Sequence, residues 1–340
     1  MADAVRRAVW DGSIPFKVML DPSECRIFDK ADPYYFQADR VAYLPFYLPR
    51  IYKFFENFLI DKAVATVENA WFEVDNAPLR WSVALSSLPG FSFESKRSDR
   101  MHVYTTWIDA DWIRMRFRHW PIGLLYDFYT ALDPTKTPTL PPTNHDRPGS
   151  PPLAADPEPG AAPVPWTITL RFASYPHDFL TTLTPTSTHD AFINSIKEAD
   201  FSRNGTAKAV MSLSPSDTRE LFASLQDHDY DRFWGVTDKL LNHSGITVKN
   251  IPIRIYNPET GQVIQGSVPT RQPGTIRGDA QTLGTALNSL VPIIFPSKRS
   301  VVLARPVMHG IVLPLSAPLL ELMREAMYPD GFLHITLAMM

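Results

Sequence analysis

Three places in this chain bring together residue types that could do chemistry. Asp227-His228-Asp229 is a carboxylate–imidazole–carboxylate run of the kind that holds a metal ion or forms an acid–base dyad. It falls just before Tyr230-Asp-Arg-Phe-Trp234, so it reads better as the exposed end of a helix. Cys25, the only cysteine, offers a thiol. It stands between Glu24 and Arg26 with no histidine beside it to draw off the proton, so a catalytic thiolate is not expected there. His309 and His334 fall in strand-like patterns and read as packing or exposed positions.

No longer motif supplies what these lack. There is no phosphate-binding P-loop, no GxGxxG after a strand, no GxSxG elbow and no HExxH pair. The expectation is a chain that is not an enzyme on its own and carries no cofactor and no metal. With 33 Lys+Arg against 36 Asp+Glu the net charge is −3, which argues against a nucleic-acid partner. A single cysteine excludes a disulfide framework and any site needing several thiolates. The Arg6-Arg7 start has no long apolar core after it and no apolar run approaches membrane length, so an intracellular, soluble protein is expected. The 8 Trp, 12 Tyr and 20 Phe fit either an interaction groove or a large aromatic core.

The elements that would position these residues can be read from periodicity. Asp3 to Trp10 predicts a short amphipathic helix stopped at Gly12-Ser13. Ile14–Leu20 and Tyr34–Tyr43 predict paired strands. A helix follows from Pro49, with Ile51, Phe54, Phe55, Phe58 and Leu59 at three-to-four spacing. Ala70–Val74 predicts a strand with a turn at Asp75-Asn76, Pro121–Tyr129 a short helix and Trp166–Phe172 another strand. Eleven of the 32 prolines crowd between Leu132 and Pro165, a stretch too poor in apolar residues to fold on itself. The last third repeats the order: a hairpin of Ile251–Tyr256 and Val263–Val268, a helix at Thr282–Leu290, a strand at Val307–Val312, a helix from Ala317 and a closing strand at Phe332–Leu337. Between the two lie helical patterns at Asp190–Phe201, from Ser214-Pro215, and from Tyr230.

The fold class expected is therefore α+β: two ubiquitin-like β-grasp domains flanking a helix-rich domain, with a short N-terminal helix. The boundaries are 1–12 for that helix, 13–175 for the first domain with insertions at 82–118 and 132–165, 180–245 for the helix-rich domain, and 250–340 for the second β-grasp domain. Because the chain ends Leu337-Ala-Met-Met340 without glycine, neither β-grasp unit is expected to be a ubiquitin-like donor.

Strings spread along the chain then fall into one pattern. Asp32-Pro-Tyr-Tyr35, Trp71-Phe-Glu-Val74, Ala77-Pro-Leu-Arg-Trp81, His119-Trp-Pro-Ile-Gly-Leu-Leu-Tyr-Asp127 and Pro165-Trp166 come from the first half. Ile196-Lys-Glu-Ala-Asp200, Asp231-Arg-Phe-Trp234, Ile251-Pro-Ile-Arg-Ile-Tyr256, His309-Gly310 and Tyr328-Pro-Asp-Gly-Phe-Leu-His-Ile335 come from the second. Together, in this order, they closely resemble the autophagy protein 5 family.

The resemblance implies the fold just described and a scaffold role in autophagosome formation. It implies that Lys197 accepts the C-terminal glycine of autophagy protein 12 through an isopeptide bond. It further implies that Gly123 and Asp127 bind a helix of autophagy protein 16. The conjugate would work with the conjugating enzymes of the system to promote lipidation of autophagy protein 8. The chain would be cytoplasmic and associate peripherally with the preautophagosomal membrane. The alternative is an adaptor of ubiquitin-like fold that binds partners only non-covalently and leaves Lys197 unused. On its own residues, Lys197 reads as an ordinary surface lysine that Glu198 and Asp200 would keep protonated. Gly123 reads as a helix-packing glycine and Asp127 as a solvated charge. Two stretches depart from the family: the Pro-rich loop, and Ser82–Arg118, which fits no β-grasp element and has the character of a retained intron beside the expected partner groove.

Overall fold

The computed structural model describes residues 2–27, 31–79, 82–84, 117–131, 165–177, 180, 185–241, 248–272 and 279–340. The chain opens with helix α1 (Ala2–Trp10) and strand β1 (Ser13–Leu20). In β1 alternate residues Ile14, Phe16, Val18 and Leu20 are buried, the period-two signature of a strand with one face on a core. Strand β2 (Tyr34–Asp39) pairs antiparallel with it from Ser13 against Asp39 to Val18 against Tyr34. Helix α2 (Leu48–Phe55) buries Leu48, Ile51 and Phe55 in the core. Strands β3 (Trp71–Val74) and β4 (Ala77–Pro78) follow, joined through Asp75 and Asn76 at φ 50° and 62°. A two-residue hairpin turn needs positive φ at both positions, which Asx side chains tolerate.

Strands β5 (Ser82–Ala84) and β6 (Phe117–His119) pair with each other, Ser82 against His119 and Ala84 against Phe117. The two ends of the unusual 82–118 segment therefore meet side by side; residues 85–116 lie outside the described residues, as do 132–164 of the Pro-rich loop. Helix α3 (Ile122–Thr130) and strand β7 (Trp166–Arg171) complete the domain. β7 runs parallel to β1, Phe16 against Trp166, and antiparallel to β3, giving the order β2-β1-β7-β3-β4.

The helix-rich part comprises α4 (Pro185–Asn204), α5 (Lys208–Met211), α6 (Pro215–Gln226) and α7 (Tyr230–Leu241). Ser214 caps α6, its hydroxyl accepting the Asp217 amide at 3.0 Å, with Pro215 at the first position. α1 docks on this layer and on the last domain. Arg6 donates to the Arg324 carbonyl at 2.6 Å and pairs with Asp238, while Trp10 packs against His228 and Phe233.

The second β-grasp domain repeats the first strand for strand. β8 (Asn250–Asn257) and β9 (Gln262–Pro269) form the hairpin, and α8 (Leu283–Leu290) is the helix, closed by a Thr282–Thr285 capping box. β10 (Ala304–Met308), β11 (Ile311–Val312), α9 (Leu319–Ala326) and β12 (Leu333–Met339) complete it. β12 is parallel to β8, and the order is β9-β8-β12-β10-β11. β8 is buried at seven consecutive positions, so both of its faces are covered. Its own helices take one face; α4 takes the other.

Two local expectations change. The strand expected over Tyr34–Tyr43 ends at Asp39, because the Arg40 amide donates to the Gly12 carbonyl at 2.8 Å and turns the chain so that Val41, Ala42 and Tyr43 enter the core. The single strand expected over Val307–Val312 is a hairpin bent at His309-Gly310, with φ 54° and 78°.

Candidate functional site

Lys197 lies on α4, a helix held in the fold by an apolar stripe of Phe192, Ile193, Ile196 and Ala199, all buried. One turn of α4 is also held by charge. Arg254, from the middle of β8, is 2% exposed and donates to Glu198 Oε2 at 2.9 Å, to Ser195 Oγ at 3.2 Å, to Asp330 Oδ2 at 3.1 Å and to Gln265 Oε1 at 2.9 Å. Its guanidinium carbon stands 3.5 Å from the centre of the Phe332 ring. Gln265 in turn donates to the second oxygen of Glu198 at 3.0 Å, and Ser195 donates to Asp330 at 2.8 Å.

Asp330 anchors the other end. His334 Nε2 donates to it at 3.0 Å, and His334 Nδ1 is 2.7 Å from the Tyr256 hydroxyl. Burial pushes the Asp330 carboxyl up, but His334, Arg254 and the Ser195 hydroxyl outweigh it and hold it well below the usual range. The charges are thus buried and paired, the arrangement in which removing one partner is costly.

Lys197 sits on the opposite side of that turn, half-buried, in line with Asn194 one turn before and the exposed Phe201 one turn after. The acidic neighbours expected to face it do not. Glu198 is turned to Arg254 and Gln265, and Asp200 is buried, accepting from Asn204 at 2.8 Å and from the Val210 amide at 3.3 Å. Among the described residues the Lys197 ammonium enters no ion pair and no side-chain hydrogen bond.

Gly123 and Asp127 lie elsewhere, on α3 at the seam between the two β-grasp domains, and both are buried. The Gly123 amide donates to the Arg40 carbonyl at 2.7 Å, and a Cβ at this position would come within 3.0 Å of that oxygen and of the Arg40 Cβ. The close approach that a glycine permits is made by this chain's own backbone. Asp127 is not a solvated charge: it is 2% exposed, pairs with the Arg40 guanidinium and accepts the Gly310 amide at 2.9 Å. Burial raises its pKa, and Arg40 and the Gly310 amide oppose that rise without cancelling it. Beside it His309 is a half-buried packing residue at the hairpin bend, not a strand position. Its ring stacks on Tyr328 at 4.1 Å, and Nε2 donates to the Ala326 carbonyl at 2.8 Å. Burial brings its pKa down to about 3, so it is neutral.

The other sequence candidates resolve locally. Asp227 and Asp229 turn to Arg232 at 3.1 and 3.9 Å, while His228 stacks on Trp10, so the run does not converge on one point. No group of three or more potential metal ligands occurs among the described residues. Cys25 is buried, bridging backbone to Leu59. The residues that sequence reasoning missed are Arg254, Asp330, Ser195 and Arg40. Arg254 did carry a signal, a lone charge in the apolar run Ile251-Pro-Ile-Arg-Ile-Tyr256.

With this geometry in place, comparisons with known proteins are informative. Residues 9–88 match the family model described as Autophagy protein ATG5, UblA domain; residues 185–243 match its alpha-helical bundle region; residues 250–337 match its UblB domain. Autophagy protein 5 of Aspergillus terreus is 36% identical over 355 residues, spanning 99% of this chain and 97% of its own. The Aspergillus oryzae counterpart is 35% identical over 360 residues. The crystal structure of Kluyveromyces marxianus Atg5 superposes with a TM-score of 0.66 at 20% identity, covering 98% of this chain and 99% of that one, and supports the same fold.

Proposed function

The chain belongs to the autophagy protein 5 family, and on that premise we propose that it is a non-catalytic scaffold of autophagosome formation whose Lys197 is joined to autophagy protein 12. The observation that carries the reading is the placement of Lys197: half-buried, without an ion-pair partner among the described residues, and on a helix turn pinned from behind. In the reaction the Lys197 amine attacks the thioester carbonyl that links the partner's C-terminal glycine to a conjugating enzyme. The carbon–nitrogen bond forms, the carbon–sulfur bond breaks, the enzyme's cysteine leaves as thiolate and the amine's proton passes to solvent. The amine must be unprotonated to attack.

Autophagy protein 16 is the second proposed partner. Gly123 and Asp127 bear on it by fixing the wall between the β-grasp domains, since neither presents its side to solvent. The conjugate then stimulates the enzyme that lipidates autophagy protein 8. Membrane association is peripheral and comes through this complex; no helix among the described residues is long and apolar enough to cross a membrane.

The test is a blot of cell extract for this chain beside a Lys197→Arg strain. The reading expects a second species heavier by a small protein, absent in the variant because arginine keeps the charge but cannot form the bond. A heavy species that persists in Lys197→Arg removes Lys197 as acceptor; no heavy species in either strain favours the purely non-covalent adaptor.

A further inference from the structure

Arg254 reaches α4 at Ser195 and at Glu198, the two residues that bracket Lys197. These lie three apart and so share one helix face, while Lys197 is turned about 100° from Glu198 and about 200° from Ser195. Fixing two points on one turn sets both the height and the rotation of that turn. The hold is backed on every side. Gln265 takes the other Glu198 oxygen, Asp330 takes both Ser195 and Arg254, and Phe332 covers the guanidinium face. A planar guanidinium can make these contacts at once, and an ammonium cannot. One turn further, Arg203 donates to the Gly331 carbonyl at 3.3 Å, and Gly331 sits so close that a Cβ there would lie 2.9 Å from Ala199 Cβ. The acceptor's turn and the one after it are thus both bound to the second β-grasp domain.

We propose that Arg254, with Glu198 and Ser195 as its grips, is a positioning residue for conjugation: it holds the Lys197 turn so that the amine meets the thioester in an attack-ready place. The proposal rests on Lys197 being the acceptor. Misplacement of a reacting atom by about 1 Å can cost on the order of a hundredfold in rate, so loosening this turn reaches the chemical step without touching the amine.

The experiment is single-turnover conjugation of the full chain, using conjugating enzyme charged with autophagy protein 12 at a range of concentrations, with rates taken per folded molecule. Arg254→Lys is expected to lower the maximal rate about tenfold and to leave the half-saturating enzyme concentration unchanged. Glu198→Gln, at the more exposed end of the pair and leaving Arg254 with Asp330 as its counter-charge, is expected to lower it in the same manner and carries the test should Arg254→Lys not fold. Glu73→Gln, which breaks the 2.7 Å ion pair to Arg171 between β3 and β7 of the first β-grasp sheet, is the comparison for general loosening and is expected to keep the wild-type rate. A maximal rate within twofold of wild type in the folded variant, a loss confined to the half-saturating concentration, or an equal loss in Glu73→Gln would each overturn the assignment. Lys197→Arg run alongside separates the two readings. If it still conjugates, the acceptor is wrong; if it does not while Glu198→Gln and Arg254→Lys react normally, only the positioning role fails.

Discussion

The Asp127 carboxylate, on the α3 helix of the first β-grasp domain, accepts the backbone amide of Gly310 in the second at 2.9 Å. The other oxygen of that carboxylate pairs with Arg40. One buried side chain therefore ties together a loop, a helix and a turn from two domains that are far apart in sequence. Asp127→Asn can keep the amide contact but leaves Arg40 without its counter-charge. Breaking a buried pair this way should cost about 3 kcal/mol. Urea denaturation at pH 7 measures it; a change below half of that would mean that water reaches Arg40 and that the seam is looser than its burial indicates.

Gly123 tests whether that seam acts on the partner directly or through shape. A Cβ there meets the Arg40 carbonyl oxygen at 3.0 Å, so Gly123→Ala must push two backbones apart and should cost about 1–3 kcal/mol. Affinity for an autophagy protein 16 helix, measured by calorimetry, should fall together with stability. Full stability with lost affinity would instead place Gly123 in contact with the partner.

The pH dependence of stability carries the mark of His309. Its pKa falls from 6.5 in the unfolded chain to about 3 in the fold, because burial disfavours the charged ring. The unfolded state therefore binds the extra proton first. The contribution of His309 is fully present above pH 6.5 and is lost as pH falls from there toward 3, at about 1.4 kcal/mol per pH unit. Asp330 adds a loss of the same sign at lower pH: its carboxyl is held below 3.8, so its contribution is present above that value and disappears as pH falls through the depressed one. Denaturation curves of wild type and His309→Gln at pH 7, 5.5 and 4.5 should converge as pH falls. Parallel curves would show the ring to be solvated.

The pairing of Ser82–Ala84 with Phe117–His119 gives a prediction for the segment between them. Replacing residues 85–116 with Asn-Gly, which favours the two-residue hairpin turn, should leave the domain folded with an unchanged thermal midpoint. A large drop in that midpoint would show that the segment supplies core.

Much of the fold could be read in advance, and the reasons are particular. Ile14, Phe16, Val18 and Leu20 alternate in burial as they alternate in type, and Ser214-Pro215 is a helix start in both sequence and structure. The turn at His309-Gly310 was not legible. Val307-Met308 and Ile311-Val312 flank it with apolar residues, and a histidine at φ 54° is no ordinary turn signal. The site was legible only in pieces. Lys197 stood out through family resemblance, and Arg254 as a charge in an apolar strand. Their connection was not, because Arg254 meets Ser195 and Asp330 across 59 and 76 residues of chain, and no local pattern encodes such a meeting. Asp127 read as solvated for the same reason: its partners Arg40 and Gly310 lie outside its own helix.

The most direct test of the account is to map the linkage itself. The conjugate formed in cells is purified, digested with trypsin and sequenced by tandem mass spectrometry. The account predicts a branched peptide with a glycine-ended remnant on the Lys197 Nζ and a missed cleavage at that residue. The same remnant on another lysine, with Lys197 cleaved normally in the heavy species, would contradict it.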